Sequence, residues 1–170
     1  MPPLSNRGPF RAGVITVSDS ASQGEREDGT GPVLVEMLTQ AGFVVEEKAI
    51  VPDDATRISA VLIEMADRKN IDLLLTAGGT GLSPTDHTPE ATQVVIDRAV
   101  PGLAEAMRSA GLKKTPHAAL SRGLAGTRGT CLIVNLPGSP KAAAENLAAI
   151  LPALPHGLDK LAGDPTPCGG

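Results

Sequence analysis

The chain has 170 residues, a length that fits one domain with a substantial core. Because it contains two Phe and neither Trp nor Tyr, its core must be aliphatic, and aromatic stacking cannot be its main way of holding a planar ligand. The net charge of -4, without a long run of one sign, argues against nucleic acids as partners. This charge does not exclude nucleotides as ligands, since backbone N–H groups and Mg²⁺ can bind phosphate.

Strand and helix patterns alternate along the chain between two predicted tails, at 1–10 and 164–170, which enclose a single domain over 11–163. The predicted elements are, in order, a strand at 12–17, a helix at 31–41, a strand at 43–51, a helix after Asp54, a strand at 71–76, helices at 88–99 and 101–110, a hairpin over 119–134 that turns at 127–129, and helices at 141–151 and 155–162. Gly42 and Gly111 are predicted to stop helices, and Asp54 to cap one.

This alternation predicts an α/β fold with a mostly parallel sheet covered by helices on both faces, to which the hairpin adds an antiparallel edge strand. Four predicted strands end in polar or Gly-rich loops, at 18–20, 52–54, 78–86 and 135–140. Parallel strands place such loops at one edge of the sheet, where ligands of open α/β sheets bind. We therefore expect the four loops to form one pocket.

The loop after the third strand is rich in glycine, with Gly78, Gly79 and Gly81 around Thr80. Glycine allows positive φ and a close backbone approach, so successive N–H groups can form a nest for an anion. The loop is neither a GxGxxG fingerprint nor a Walker A motif. A tight turn from strand to helix is the alternative interpretation.

Two aspartates are candidates for the pocket, each with a structural alternative. Asp86 precedes a helix start, so it is either a helix cap or a Mg²⁺ ligand beside the Gly loop. Asp53 follows the second strand and is either a turn residue or part of the site. We expect His87 to be a partly exposed residue at the helix start rather than an acid or base.

The other loops add weaker signals. Asp19 and Asp28 flank a Gly-containing loop that is either a lid or simply solvated. Ser121 and Arg122, placed in the edge hairpin, are interpreted as phosphate ligands or as part of a surface salt bridge. Residues 135–140 form a second Gly turn whose free N–H groups suit another phosphate or polar ligand edge.

The chain has no Ser-His-Asp, Cys-His or paired-His pattern, which disfavours a protein nucleophile. Gly loops with Asp and hydroxyl groups suit phosphoryl or nucleotidyl transfer, which depends on positioning and charge neutralisation. Cys131 and Cys168 lack metal-ligand spacing; we expect the first to be a buried hydrophobe, and no disulfide between them. Without a signal-peptide core or an apolar span, we expect a cytoplasmic protein that engages no membrane.

Six motifs, found in a fixed order over about 10–163, resemble the MoaB/Mog family of molybdenum-cofactor biosynthesis, which includes the molybdopterin adenylyltransferases and the corresponding domain of gephyrin. The motifs are Val14-Ile15-Thr16-Val17-Ser18-Asp19-Ser20, Val51-Pro52-Asp53-Asp54, Thr76-Ala77-Gly78-Gly79-Thr80-Gly81, Thr85-Asp86-His87-Thr88-Pro89-Glu90-Ala91, Leu120-Ser121-Arg122 and Asn135-Leu136-Pro137-Gly138-Ser139-Pro140. The chain departs from the family pattern at Thr85, where Arg is usual, and at His87, which replaces an apolar residue.

The resemblance implies a three-layer α/β/α homotrimer that binds molybdopterin and Mg·ATP and forms adenylyl-molybdopterin and pyrophosphate, with a molybdenum-insertion enzyme as a candidate partner. It implies that Asp53 and Asp86 are catalytic and serve Mg²⁺. The implied substrate-binding residues are Ser18, Asp19, Gly78, Gly79, Thr80, Gly81, Ser121, Arg122, Asn135, Pro137, Gly138 and Ser139. Two alternatives remain open: a pterin-binding protein without catalysis, and a nucleotide hydrolase on a similar fold.

Overall fold

A six-stranded sheet forms the centre of the molecule in a computed structural model that describes residues 8–169. The strands are β1 Arg11–Val17, β2 Val44–Val51, β3 Leu73–Ala77, β4 Arg98–Ala99, β5 Ala125–Arg128 and β6 Cys131–Leu136. Their order across the sheet is β2-β1-β3-β6-β5-β4. The first four in this order are parallel, and β5 and β4 are antiparallel to their neighbours.

Helices cover both faces of the sheet. They are α1 Asp19–Ser22, α2 Gly31–Gln40, α3 Ala55–Ile63 with the π-helical turn Glu64–Arg68, α4 Thr88–Gln93, α5 Pro101–Leu112, α6 Pro140–Ile150 and α7 Leu154–Leu161, with 3₁₀ turns at Pro116–Leu120 and Leu151–Ala153. One core lies between the sheet and α2, α5, α6 and α7, and the other between the sheet and α3 and α4. The predicted three-layer α/β/α fold with a mostly parallel sheet is confirmed.

Local sequence signals set several of the boundaries. Gly42 follows α2 with a φ of 89°, a left-handed conformation that suits glycine and ends the helix as predicted. The Asp54 side chain accepts a hydrogen bond from the Arg57 N–H and caps α3, also as predicted. Every residue of β3 is buried, including Thr76, which is typical of a central strand of a parallel sheet.

The helix predicted at 88–99 is wrong in its second half. The helix ends at Gln93, and Arg98–Ala99 instead forms β4, paired with β5. Val94, Val95 and Ile96 are β-branched and lose side-chain freedom in a helix. The edge strand of the sheet is therefore β4.

The hairpin prediction is right in its turn and wrong in its extent. Gly129, with a φ of 54°, lies in the turn between β5 and β6. However, β5 lies inside the sheet rather than at its edge, and it starts only at Ala125. Ser121 and Arg122 consequently lie in the segment before the hairpin, beside a 3₁₀ turn.

Gly111 does not stop α5, which continues to Leu112. A Cβ atom at this position would lie 2.7 Å from the Cβ of Ala118, so the glycine allows the 3₁₀ turn to pack closely on the helix. The sequence signal was the same as at Gly42, but here the small size of glycine matters rather than its backbone freedom.

The chain ends are described only in part. Residues 1–7 of the predicted N-terminal tail, and Gly170 of the C-terminal one, lie outside the described residues. Phe10, which we placed in the tail, is 4% exposed and contacts Phe43 with ring centroids 6.2 Å apart. Cys131 is buried as predicted, and both cysteines are free thiols. Within residues 8–169, no helix combines the length and the apolar character needed to cross a bilayer.

Candidate functional site

The loops that follow β1, β2 and β3 are joined by hydrogen bonds at the carboxyl edge of the sheet. The backbone N–H of Asp53 donates to Asp19 Oδ1 at 2.8 Å, and the N–H of His87 donates to Asp53 Oδ1 at 2.9 Å. The loop after β6 also reaches this point, because a Cβ on Gly138 would lie 3.3 Å from Gly78 Cα. The structure thus brings the four predicted loops together around the Gly loop.

The Gly loop has a conformation that requires glycine at two positions. Gly78 and Gly79 have φ angles of 112° and 65°. A Cβ on Gly78 would lie 2.2 Å from the carbonyl oxygen of Val17, so β1 and the loop approach more closely than any side chain allows. On Gly79 a Cβ would lie 2.5 Å from Asp53 Oδ2 and 2.4 Å from Thr88 Oγ1. The loop therefore presents bare backbone directly beside the Asp53 carboxylate.

The charge of Asp53 is poorly compensated by the protein. Partial burial raises the pKa of Asp53, and the negative charges of Asp86 and Asp19 raise it further. The hydrogen bond from the His87 N–H and the charge of its imidazole oppose these effects. Carboxylates whose pKa is raised by burial and by like charges occur often at functional sites, so Asp53 stays a candidate for the site.

Asp86 is held by its own loop. Its Oδ2 accepts a hydrogen bond from the Ser83 N–H at 3.1 Å, and a Cβ on Gly81 would lie 2.9 Å from the same oxygen. The alternative that Asp86 caps α4 is wrong, because His87 occupies the N-cap position and has no capping bond from its side chain. His87 is partly exposed at the helix start, as expected, and Thr85 is exposed.

Thr88 was missed by the sequence analysis. Its side chain is buried, and its Oγ1 has no hydrogen-bond partner among the described residues. Such a buried hydroxyl without a partner is uncommon, and this one lies beside Gly79 and Asp53. The Thr-Pro pair at a helix start was the available signal, but only the fold shows which loop the hydroxyl faces.

Asn135 lies beneath the site rather than in it. The side chain is 2% exposed, and its amide group donates to the hydroxyls of Thr76 and Thr92, both at 2.9 Å. Its carbonyl oxygen accepts the Leu124 N–H. This network fixes β3, β6 and α4 to one another below the Gly loop, so Asn135 supports the site without lining it.

Two cavities flank the Gly loop. The larger, of about 400 Å³, is lined by Ser18, Arg26, Asp28, Gly78, Gly79 and Ser139 among others. The smaller, of about 280 Å³, is lined by Thr80, Gly81, Arg108, His117, Ser121 and Pro137 among others. Most of the predicted binding residues therefore face one cavity or the other, and the loop that separates the cavities is the predicted anion nest.

The arginines at the site differ in what they contact. The Arg122 guanidinium donates to the carbonyl oxygens of Gly81 and Asp86 and pairs with Glu90. Arg26, missed by the sequence analysis, is exposed on the wall of the larger cavity, and its side chain has no acceptor among residues 8–169. Its position in a charged loop gave no sign that it would face the Gly loop.

Known proteins resemble this chain over most of its length. The sequence matches the family described as "Probable molybdopterin binding domain" over residues 13–156. It is 43% identical over 157 residues to the molybdopterin adenylyltransferase of Helicobacter pylori (strain ATCC 700392 / 26695), covering 89% of this chain and 88% of that protein. For the molybdopterin adenylyltransferase of Escherichia coli (strain K12), the identity is 41% over 144 residues, which cover 83% and 73%.

The fold gives the same result. The crystal structure of the molybdopterin biosynthesis enzyme MoaB from Thermus thermophilus superimposes with a TM-score of 0.87 at 56% sequence identity, covering 92% of this chain and 98% of that one. The sequence and fold comparisons each cover more than four fifths of this chain. The chain therefore belongs to the family of probable molybdopterin-binding domains.

Proposed function

We propose that this protein is a molybdopterin adenylyltransferase of molybdenum cofactor biosynthesis. It transfers adenylate from Mg·ATP to the terminal phosphate of molybdopterin and releases pyrophosphate. The observation that carries the proposal is the pair of cavities that meet at one Gly loop beside two carboxylates. Two substrates that each carry phosphate need two compartments with a shared phosphate site, and relatives more than 40% identical bear this name.

The larger cavity suits the phosphate chain of ATP. Its wall combines the loop at Gly78 and Gly79 with the turn at Gly138 and Ser139, which precedes α6. The Gly78 N–H donates to the carbonyl oxygen of Leu136, so the N–H groups left for an anion are those that follow it in the loop; such groups bind anions without a formal charge. Arg26 adds an unpaired cation on the same wall and supplies the charge that Thr85 cannot.

Asp53 and Asp86 fit a Mg²⁺ ion. Among residues 8–169, no three or more His, Cys, Asp or Glu side chains form a metal site. Mg²⁺ in nucleotide enzymes is commonly held by only one or two carboxylates together with substrate phosphates. Asp53 Oδ2 has no hydrogen bond within the described chain, and Gly79 leaves the space beside it open. When bound, the ion supplies positive charge that neutralises the phosphates.

The residues of the protein then act by orientation. The terminal phosphate of molybdopterin, already ionised, attacks the α-phosphorus of ATP while the bond to the pyrophosphate oxygen breaks, so no general base is required. The Gly loop holds the reacting phosphates in line, and Thr80 and Ser121 donate hydroxyl hydrogen bonds from the side of the smaller cavity. Because one substrate attacks the other directly, the reaction needs no protein nucleophile.

The direct test measures pyrophosphate formed by the purified protein from molybdopterin, ATP and Mg²⁺. We expect turnover by the wild type and a loss of at least about 100-fold in Asp86→Asn, which keeps the shape of the side chain but removes its charge. Asp67→Asn, at the opposite edge of the sheet, is the matched control and is expected to keep full activity.

The outcomes separate the three functions considered. Absence of turnover by the wild type would refute the adenylyltransferase. Molybdopterin binding without turnover, unaffected by ATP, would indicate a pterin-binding protein, and hydrolysis of ATP without pterin would indicate a hydrolase. Turnover that persists without divalent cations would contradict the roles of Asp53 and Asp86 as Mg²⁺ ligands.

We further propose that the domain over 11–163 forms a homotrimer, works in the cytoplasm and passes its product to a molybdenum-insertion enzyme. The outer face of β2 supports assembly, because Val44 and Ile50 are 42% and 47% exposed there. Light scattering of the full chain is expected to give three times the monomer mass. A concentration-independent monomer would contradict this, and Ile50→Lys is expected to weaken the trimer.

A further inference from the structure

We propose that Arg122 is a positioning residue that holds the Gly loop and the Asp86 turn in place, and is not a ligand for substrate phosphate. The catalytic part of this inference rests on the proposed adenylyltransferase function. The structural part concerns the chain alone and can be tested without any substrate.

The contacts of Arg122 reach along the whole loop between β3 and α4. Its Nε donates to the carbonyl oxygen of Gly81 at 2.7 Å, and its Nη2 donates to that of Asp86 at 3.0 Å. Its backbone N–H donates to the carbonyl oxygen of Thr80 at 2.8 Å. One residue from the segment before β5 thus fixes three points of a loop that begins more than 40 positions earlier.

The charge of Arg122 is already compensated by the protein. Its Nη1 pairs with the carboxylate of Glu90 in the first turn of α4. The pairing also lowers the pKa of Glu90, chiefly through the hydrogen bond from Arg122. All three guanidinium nitrogens therefore have acceptors, which occupy three of the five N–H groups, and the neighbouring carboxylate weakens the attraction of the guanidinium for phosphate.

The geometry of the guanidinium is what this role requires. Its planar fork donates in three fixed directions, so it can join two carbonyl groups and one carboxylate at the same time. Lysine has a similar charge but a single nitrogen, and cannot reproduce that arrangement. A phosphate ligand, in contrast, would tolerate lysine well, since both residues bind phosphate.

Arg26 provides the contrast within the same site. It lines the larger cavity, and among residues 8–169 no side chain pairs with its guanidinium. It is therefore free to meet a phosphate group, whereas Arg122 is not. Replacement of the two arginines is expected to give opposite kinetic signatures.

The first experiment is amide hydrogen exchange without substrate on wild type, Arg122→Lys and Arg122→Gln. We expect exchange of residues 80–86 to become at least about tenfold faster in both variants, because the loop loses the guanidinium contacts to Gly81 and Asp86 and keeps only the backbone bond at Thr80. Arg128→Lys is the matched control, since Arg128 also contacts one carboxylate and one carbonyl group, and it should leave residues 80–86 unchanged. Unchanged exchange in Arg122→Lys and Arg122→Gln would overturn the proposal.

The second experiment is steady-state adenylylation. Arg122→Lys and Arg122→Gln are both expected to lower kcat about 10- to 100-fold while KM for ATP stays within about threefold, because geometry rather than charge is lost. Arg26→Gln is expected instead to raise KM for ATP. Arg26→Lys keeps the positive charge and is expected to have a KM for ATP close to that of the wild type. Full activity of Arg122→Lys, with a raised KM for ATP in Arg122→Gln, would identify Arg122 as a phosphate ligand and overturn the proposal.

Glu90→Gln tests the same anchor without touching Arg122. It removes the negative charge of one partner of Arg122 but keeps an acceptor oxygen, and it leaves the carbonyl contacts, so we expect a smaller increase of exchange at residues 80–86. Its effect should not add to that of Arg122→Gln, since both changes break one pair. If the wild type lacks adenylyltransferase activity, exchange still decides the role of Arg122, and the proposed function fails alone.

Discussion

The two edges of the sheet at which its parallel strands begin and end differ in how their carboxylates are compensated. At the amino edge, carboxylates are paired with cations: Arg11 with Glu46, Lys69 with Glu47 at 3.0 Å, and Arg128 with Asp67 at 2.7 Å. At the carboxyl edge, Asp19, Asp53 and Asp86 lie together, and none of them forms an ion pair with Lys or Arg within residues 8–169.

The pKa directions show the same difference. Hydrogen bonds from arginine lower the pKa values of Glu46 and Asp67, so folding favours their charged forms. The pKa of Asp53 is instead raised by burial and by neighbouring carboxylates. The paired carboxylates of the amino edge contribute to stability, whereas the carboxylates that lie together at the carboxyl edge reduce it.

The largest effect is expected from Gly79→Ala, which fills the space between the loop and Asp53. The φ of 65° is unfavourable for alanine, and the new Cβ would lie 2.4 Å from Thr88 Oγ1. We expect a loss of at least about 100-fold in kcat/KM and of about 1–3 kcal/mol in the free energy of unfolding.

The matched control for this change is Gly102→Ala in α5, where a Cβ would contact nothing within 4 Å. We expect it to keep activity and to gain up to about 1 kcal/mol of stability, because alanine favours helices. Equal adenylylation by Gly79→Ala and Gly102→Ala would show that the carboxyl edge is not the reacting site.

Asp53→Asn is expected to abolish adenylylation and yet to raise the melting temperature at neutral pH. Because the pKa of Asp53 is raised above 3.8, its contribution to stability is present at low pH and is lost as the pH rises through the raised value. Asparagine keeps an acceptor for the His87 N–H and cannot ionise. Its advantage should therefore disappear in melting curves recorded near pH 3 to 4; an advantage that persists there, or a loss at neutral pH, would contradict the role of Asp53 charge.

Asp67→Asn is expected to have the opposite sign with a smaller size. Arg128 lowers the pKa of Asp67, so the pair stabilises the protein above the ordinary carboxyl pKa and loses this effect as the pH falls through the lowered value. The variant should melt slightly below the wild type at neutral pH, and the gap should close in acid. If the difference in melting temperature between Asp67→Asn and the wild type grew in acid, the charge of Asp67 would not stabilise the amino edge.

The smallest effect is expected in thiol labelling at the amino edge, where Cys131 is the first residue of β6. Burial raises the pKa of the Cys131 thiol to about 12, and the residue is 1% exposed. In the native protein a thiol reagent is expected to titrate one thiol, the exposed Cys168, and in denaturant both. Rapid labelling of Cys131 in the native state would show that this edge opens.

The sequence predicted the elements whose signals are local. The apolar run of β3, the glycine after α2 and the Asp54 cap each specify their structure within a few residues, and the structure has all three. Strand ends followed by polar loops also indicated the edge at which a site would form. The six motifs were sufficient for the family.

Other features depend on partners that are distant in the chain. The β-branched residues at 94–96 disfavour a helix locally, but Arg98–Ala99 forms a strand only because β5 lies beside it. Arg122 was interpreted either as a phosphate ligand or as part of a surface salt bridge, and only the fold shows that its guanidinium contacts Gly81, Asp86 and Glu90. Arg26 gave no local signal, and the Thr-Pro pair at Thr88 indicated only a helix start, because the place of each residue depends on the loop that it faces.

The sequence by itself therefore determined the α/β class and the family of this protein, and it singled out the Gly loop, Asp53 and Asp86 as candidates for the site. Only the tertiary structure decided that the Arg122 guanidinium has acceptors within the protein and that the Arg26 guanidinium has none among residues 8–169. It also decided that Asn135 lies beneath the site and that β4 is the antiparallel edge strand of the sheet. The physical reason is range: propensity, capping and glycine conformation act over a few residues, whereas pairing, burial and charge compensation depend on which distant segments meet.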